Sequence, residues 1–512
     1  MRIDVLTLLK NKLPKSITDR ITSAPPYTPY ALILALTTLM FLPFFSLQLG
    51  ITDDHEIVWL LDALYVDGFS GFWSRWLSLE DFGTAPRFRP VYYLLRAIEI
   101  LLWRDNALLW ALTRCGIAAF FALGIYELAK RHVSPSMAML LSVATLSVPW
   151  FSDIFFRLGP SETYATIFTI ILTLSLLTKK SEISWLTVSM SIFVLIGIKE
   201  NFIILFPLQL FSLYKLARAR TFTSSAISAI FSAASLLCIS ILFYKLKLSA
   251  GHDIYNQAAG LSRAGTALNS ILFTFSGWIS FATAAVFSYA LLSKKKSTHK
   301  SNRFTILIYV IFVLVFNVYV YSGIPDILSR YAFPYWPFLT GMLIYAYMVI
   351  VKGSNVFDFI PNKRAIFMSL AAAACVCQII NAYAGHLYAK RTSDTHTAIT
   401  QLLEATENTE KIDLIITHTT TYMDIEPAVS IARYLNFWHI SKPLYLFSEI
   451  TDVSDVENNH SATIYETLST IQHNGGEGYT SFTLMPSKYN CIEINFHESP
   501  TKLCRQQINI PF

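Results

Sequence analysis

Eleven separate runs of this chain are apolar for long enough to cross a lipid bilayer, and that property constrains its fold more than any other. The hydrocarbon core is about 30 Å thick, so a helix needs roughly 20 mainly apolar residues to span it. Inside that core every backbone amide must be satisfied within its own segment, which selects helices for runs of this kind. The runs lie at 30–50, 106–128, 135–151, 163–178, 184–198, 202–217, 222–244, 269–292, 304–323, 334–351 and 365–385. With 54% of residues hydrophobic and 14% charged, the composition excludes a soluble globular protein. The expected fold class is therefore a polytopic α-helical membrane protein of about eleven transmembrane helices.

Alternate loops collect the cations, at Lys130-Arg131, Lys179-Lys180, Lys215 with Arg218 and Arg220, Lys294 to Lys296 with Lys300 and Arg303, and Lys352 with Lys363 and Arg364. The positive-inside rule makes these loops cytoplasmic, together with residues 1–29, which carry Arg2, Lys10, Lys12, Lys15 and Arg20. No small-residue cleavage site follows those cations, so the first run reads as a retained anchor in the plasma (inner) membrane. The net charge of +6 is accounted for by this loop bias and gives no reason to expect nucleic acid as a partner.

The organisation expected from these patterns is a cytoplasmic N-terminus at 1–29, a transmembrane module at 30–385, and an extracytoplasmic domain at 386–512. In the last of these, 412–417, 425–435 and 443–447 read as strand, helix and strand after a helix at 397–406, a small α/β domain. Cys115, Cys238, Cys375 and Cys377 lie within apolar spans and read as small buried hydrophobes. Cys491 and Cys504 fall in the outer tail, where an oxidising compartment permits a disulfide; two free thiols are the alternative.

Asp53-Asp54-His55-Glu56 follows the first span at once. Carboxylates crowded where a helix leaves lipid are costly, and that cost marks the cluster as a candidate site. The first outer loop, 51–105, is long for a connector. Ile57 to Tyr65, then Phe69, Phe72, Trp73 and Trp76, form apolar stripes suited to helices lying in the membrane interface. A loop resting on the surface is the plainer alternative. Further on, Arg87 and Arg89 beside Tyr92 and Tyr93 suit a phosphate, since guanidinium forks bind phosphoryl oxygens bidentately. They would serve equally well against bulk lipid headgroups.

Three later connections bring ionisable groups to the same membrane face: Asp153, Arg157 and Glu162 around a Gly159-Pro160 turn, Lys199 and Glu200, and Arg330 with Tyr331. Each taken singly reads as an ordinary ion pair or surface charge. Their convergence with Asp53, Asp54 and Glu56 is less easily explained that way. Transfer of a glycosyl group to a hydroxyl needs a base for the acceptor proton, a task for Asp53 or Asp54. A phosphate leaving group needs cations, for which Arg89, Arg157, Lys199 and Arg330 are available. Asp53, Asp54, His55 and Glu56 also offer hard ligands, but adjacent residues rarely complete a coordination sphere. No metal is assigned to them, and a divalent cation remains an open alternative.

An acid pair at the end of the first helix, a long first outer loop, an acid-bearing second outer connection, about a dozen spans and an outer C-terminal domain together resemble the GT-C membrane glycosyltransferases. Within that class the likeness is to the protein O-mannosyltransferases and the lipid A aminoarabinose transferases. The resemblance rests on architecture over residues 30–385, and on residues only at Asp53-Asp54 and, less firmly, Asp153 to Glu162. It implies a polyprenyl-phosphate sugar donor, a glycan, lipid or protein acceptor, and Asp53 as catalytic base. The family pair is commonly Asp-Glu, whereas here Asp54 stands second and Glu56 follows later, so the division of labour between the acids stays open. A transporter or lipid flippase is the competing class; it would place ionisable groups near mid-bilayer and show repeat symmetry. Only Arg114 lies well inside a span, and no repeat is visible.

Overall fold

The computed structural model describes residues 27–50, 54–77, 88–131, 134–146, 149–177 and 181–248, most of 375–393, and short segments of the tail beyond. The four apolar runs from 269 to 385 lie largely or wholly outside these residues, as does the expected helix at 397–406.

The described part before residue 249 is helical. Helix α1 spans Thr28–Phe41 and passes into a 3-10 turn, Leu42–Ser46, because Pro43 has no N–H to continue the ladder. The first span is thus Thr28–Ser46, shorter at its C-terminal end than the apolar run. Two helices, α2 at His55–Val66 and α3 at Gly68–Leu77, form a corner at Gly68, whose positive φ of 66° suits glycine. Arg75 of α3 closes that corner on Asp62 at 2.6 Å and on the Trp59 carbonyl at 2.9 Å. Then come α4 at Pro90–Trp103, α5 at Ala107–Ala129 and α6 at Pro135–Leu146.

Residues 135–151 are not one helix. Pro149 starts a new short helix, α7 at Pro149–Phe155, so Asp153 sits on a helical turn rather than in an open loop. Helix α8 spans Glu162–Leu177 and α9 spans Glu182–Ile198. The run at 202–217 likewise divides into a 3-10 turn, Glu200–Leu205, and α10, Phe206–Arg218, with Pro207 in its first turn. Helix α11, Phe222–Leu248, completes the series.

Three of these elements, Thr28–Ser46, Ala107–Ala129 and Phe222–Lys245, are long and apolar enough to cross a membrane, and three shorter apolar helices accompany them. The helices pack through small residues. A Cβ added to Gly124 in α5 would meet Ile170 Cγ2 of α8 at 2.3 Å, and one on Gly197 in α9 would meet Val91 Cγ2 of α4 at 2.4 Å. In lipid, where apolar burial does not distinguish a neighbouring helix from an acyl chain, such close approach is a main source of association. Hydroxyls and amides add interhelical bonds, from Ser142 to the Ala122 carbonyl at 2.6 Å and from Gln209 to the Ser189 carbonyl at 3.0 Å. Each is worth about 0.6 kcal/mol on average in such a setting. At one end of the bundle Lys130 donates to Tyr30 at 2.6 Å and to Glu127 at 2.5 Å, pinning the start of α1 to the end of α5.

In the tail, β1 at Ile412–Ile416 pairs in parallel with β2 at Leu444–Ser448, and β2 in parallel with β3 at Met485–Pro486. Strands β4, Cys491–Phe496, and β5, Ser499–Cys504, form an antiparallel hairpin, and β5 adds antiparallel to β1. The sheet order is β3-β2-β1-β5-β4, and the hairpin register sets the backbones of Cys491 and Cys504 opposite each other.

Candidate functional site

Leu47 to Gly50, after the 3-10 turn that follows α1, have no regular secondary structure, and Asp54 is the residue that precedes α2. Asp54 is buried. Its carboxylate turns back rather than capping α2, and Oδ2 accepts the Gly50 N–H at 2.8 Å. There is no room for a side chain at Gly50: an added Cβ would lie 2.9 Å from Thr392 Cγ2 and 3.1 Å from that same Oδ2. Thr392 Oγ1 also accepts the Gln48 N–H at 3.3 Å. Tyr434 completes the corner, its hydroxyl donating to the Leu49 carbonyl at 2.7 Å and lying 3.2 Å from the Gly50 carbonyl. Burial, then the charge of Asp54, pushes the Tyr434 phenol well above its ordinary pKa, so it stays a donor at any working pH.

A second group of contacts ties several interhelical connections to one another. Arg89, just ahead of α4, forms a two-pronged pair with Glu200, Nε to Oε2 at 2.7 Å and Nη2 to Oε1 at 2.6 Å. Glu162 at the start of α8 meets Lys199 at the end of α9 in a pair whose side chains are 2% and 3% exposed. Arg157 and Asp153 also pair, at 3.0 Å, but keep 25% and 31% of their side-chain surface open. Tyr92 of α4 donates to the Gly159 carbonyl at 2.7 Å. Phe156 packs on Phe41 and Phe44, at ring distances of 4.7 and 5.3 Å. The end of α1, the start of α4, the 156–162 connection and the 199–200 connection therefore meet at one end of the bundle.

Beneath them lies a polar core that the sequence does not announce. Glu99 of α4 accepts from Arg114 Nη2 at 2.8 Å and from the Tyr164 hydroxyl, and Arg114 also reaches the Leu158 carbonyl at 3.4 Å. One helical turn from Glu99, Arg96 is fully buried, and none of its guanidinium nitrogens makes a hydrogen bond. Its charge sits over the Trp110 ring at 5.3 Å and the Tyr92 ring at 5.8 Å, and it interacts electrostatically with Glu99 and Glu56.

Of the residues expected from sequence, Asp54, Glu56, Arg89, Asp153, Arg157, Glu162, Lys199 and Glu200 are described. Asp53, Arg87, Arg330 and Tyr331 lie outside the described residues. Glu99, Arg96, Thr392 and Tyr434 were not expected. For the first two there was a sequence cue: Arg96 and Glu99 are charges one turn apart in an apolar helix that Pro90 starts, beyond the interfacial helices expected within 57–76. Tyr434 carries no such cue. Among the described residues, no group of three or more His, Cys, Asp or Glu is placed to hold a metal ion.

No protein-family model matches the chain. No curated protein matches it in sequence. Among solved structures, the crystal structure of ArnT from Cupriavidus metallidurans bound to undecaprenyl phosphate is similar over 94% of this chain and 98% of that one, with a TM-score of 0.52 at 11% identity. The crystal structure of the Archaeoglobus fulgidus oligosaccharyltransferase is similar over 80% of this chain and 64% of that one, with a TM-score of 0.43 at 12% identity. The likeness to ArnT extends over nearly the full length of both chains, so the two share a fold.

Proposed function

We propose that this chain is an integral-membrane glycosyltransferase that moves a sugar from a polyprenyl-phosphate donor to a hydroxyl of a surface glycan, lipid or protein acceptor, with inversion, on the outer face of the membrane. The observation that carries this reading is the buried acidic corner at Asp54, set at the bundle end where Arg89, Arg157, Glu162, Lys199 and Glu200 converge. A fold shared with a protein bound to undecaprenyl phosphate supports the same lipid class here.

In this reading Asp53 takes the proton of the acceptor hydroxyl, while Asp54, tied to Gly50, holds the corner. The departing phosphate is met by Arg157, Arg89, Arg87 and Arg330, with Tyr331 beside them. Arg157 suits the role best among the described cations, since its pair with Asp153 is partly open and can exchange partners. The Lys199–Glu162 pair is almost wholly enclosed and frames the site more than it lends a free charge. Against a transporter stands Arg114: among the described residues, this cation well inside a span is neutralised by Glu99 and enclosed, not arrayed along a path. Mass analysis of surface glycans and lipid A from cells with and without the protein tests the reading, with loss of one sugar substituent as the expected result. An unchanged glycan and lipid profile would count against it.

The proposed topology has residues 1–29 inside and the tail after His386 outside as a small α/β domain, with α2 and α3 lying in the interface. Cysteine-accessibility labelling is expected to reach the tail from outside and the Lys294–Lys300 loop only from inside; an outward loop would overturn the site assignment. The same topology, with the facing register of β4 and β5, supports a Cys491–Cys504 disulfide. Natively exported protein is expected to resist thiol alkylation at both positions until reduced, and labelling of both without reductant would remove the bond.

A further inference from the structure

The tail does more at the acidic corner than lie next to it. Two tail side chains meet α2, Arg433 at 4.5 Å over the Trp59 ring and Phe437 at 5.8 Å from the Tyr65 ring. At the head of that helix Tyr434 is buried, and its hydroxyl faces two carbonyls that only accept, so it can only donate. Those carbonyls belong to Leu49 and Gly50, and the Gly50 N–H is the group that holds Asp54. Thr392 closes the other side, filling the space where a side chain on residue 50 would stand. A segment 385 residues away in sequence thus fixes the peptide that holds Asp54.

We infer that Tyr434 is a positioning residue: its hydroxyl clamps the Leu49–Gly50 peptides, and through the Gly50 N–H it sets the placement of Asp54, the sequence neighbour of the proposed base Asp53. The inference rests on the proposed reaction for its catalytic consequence but not for the clamp itself. Misplacing a reacting group by about 1 Å costs up to 100-fold in rate. Loss of the clamp is therefore expected to lower kcat while leaving donor and acceptor KM nearly unchanged.

The test is Tyr434→Phe in the full-length chain, reconstituted in nanodiscs and assayed with a polyprenyl-phosphate sugar, alongside amide hydrogen exchange. Expected are a kcat about tenfold or more below the parent, KM within about twofold, and faster exchange confined to peptides covering residues 47–56. Unchanged exchange there would overturn the clamp, whether or not the parent transfers sugar. Faster local exchange with parental kcat would overturn the positioning role. A parent inactive with every polyprenyl-phosphate sugar counts against the proposed reaction instead, and the exchange arm still reads the clamp. If Tyr434→Phe does not fold, Gly50→Ala presses on the same corner from the other side. That variant is expected to lose kcat and to regain part of it when Thr392→Ser removes the opposing methyl; undiminished turnover in Gly50→Ala would overturn the inference.

Discussion

Asp53→Asn is expected to lower kcat by about 100-fold or more while leaving insertion and donor binding intact, because it keeps the shape of the side chain and removes the base. Asp54→Asn is expected to be damaging for a different reason. Its Oδ2 accepts the Gly50 N–H inside the buried corner, and an amide turned the wrong way presents a donor to a donor. A reconstituted transfer assay with a lipid-phosphate sugar separates the cases. If only Asp54→Asn loses turnover, the two acids exchange roles. If both variants transfer at near-parental rates, the base lies elsewhere, with Asp153 or Glu162 next to be tested.

Arg114→Met is expected to cost about 3–5 kcal/mol of stability, since it leaves the enclosed Glu99 carboxylate without its cation. Glu99 would keep the Tyr164 hydroxyl, but one neutral donor does not replace a guanidinium that reaches both carboxylate oxygens, at 3.3 and 2.8 Å. Adding Glu99→Gln is expected to recover much of the loss by removing the stranded charge, which a double-mutant comparison of unfolding in mixed micelles would measure. Turnover per folded molecule should change far less than stability. A single variant as stable as the parent would mean that the ion pair contributes little to the fold.

Helix boundaries show where local reasoning holds. Most apolar runs from 30 to 244 are helices, and the departures fall at prolines: Pro43 shortens the first span, Pro149 splits the third, and Pro207 separates a 3-10 turn from α10. Each of these effects belongs to one residue and was available in the sequence. Helix α4 was missed because Arg96 and Glu99 interrupt its apolar pattern, and charges inside a helix read as loop until their partners are known. The candidate site divides in the same way. That Asp54, Arg89, Arg157 and Lys199 stand at one end of the bundle was expected from counting spans, whereas Arg89 finding Glu200 and Lys199 finding Glu162 was not.

What the sequence alone determined is therefore the membrane class and, among the described residues, most of the helices. Both follow from properties summed along a short stretch: apolar length and the missing N–H of proline. Which charges neutralise one another was decided only by the tertiary structure. Glu99 and Arg114 are 15 residues apart, Glu162 and Lys199 37, and Tyr434 and Leu49 385. Pairs like these exist because particular helices pack side by side, and packing depends on shape at the Gly124 and Gly197 contacts. No sum along the chain contains that information.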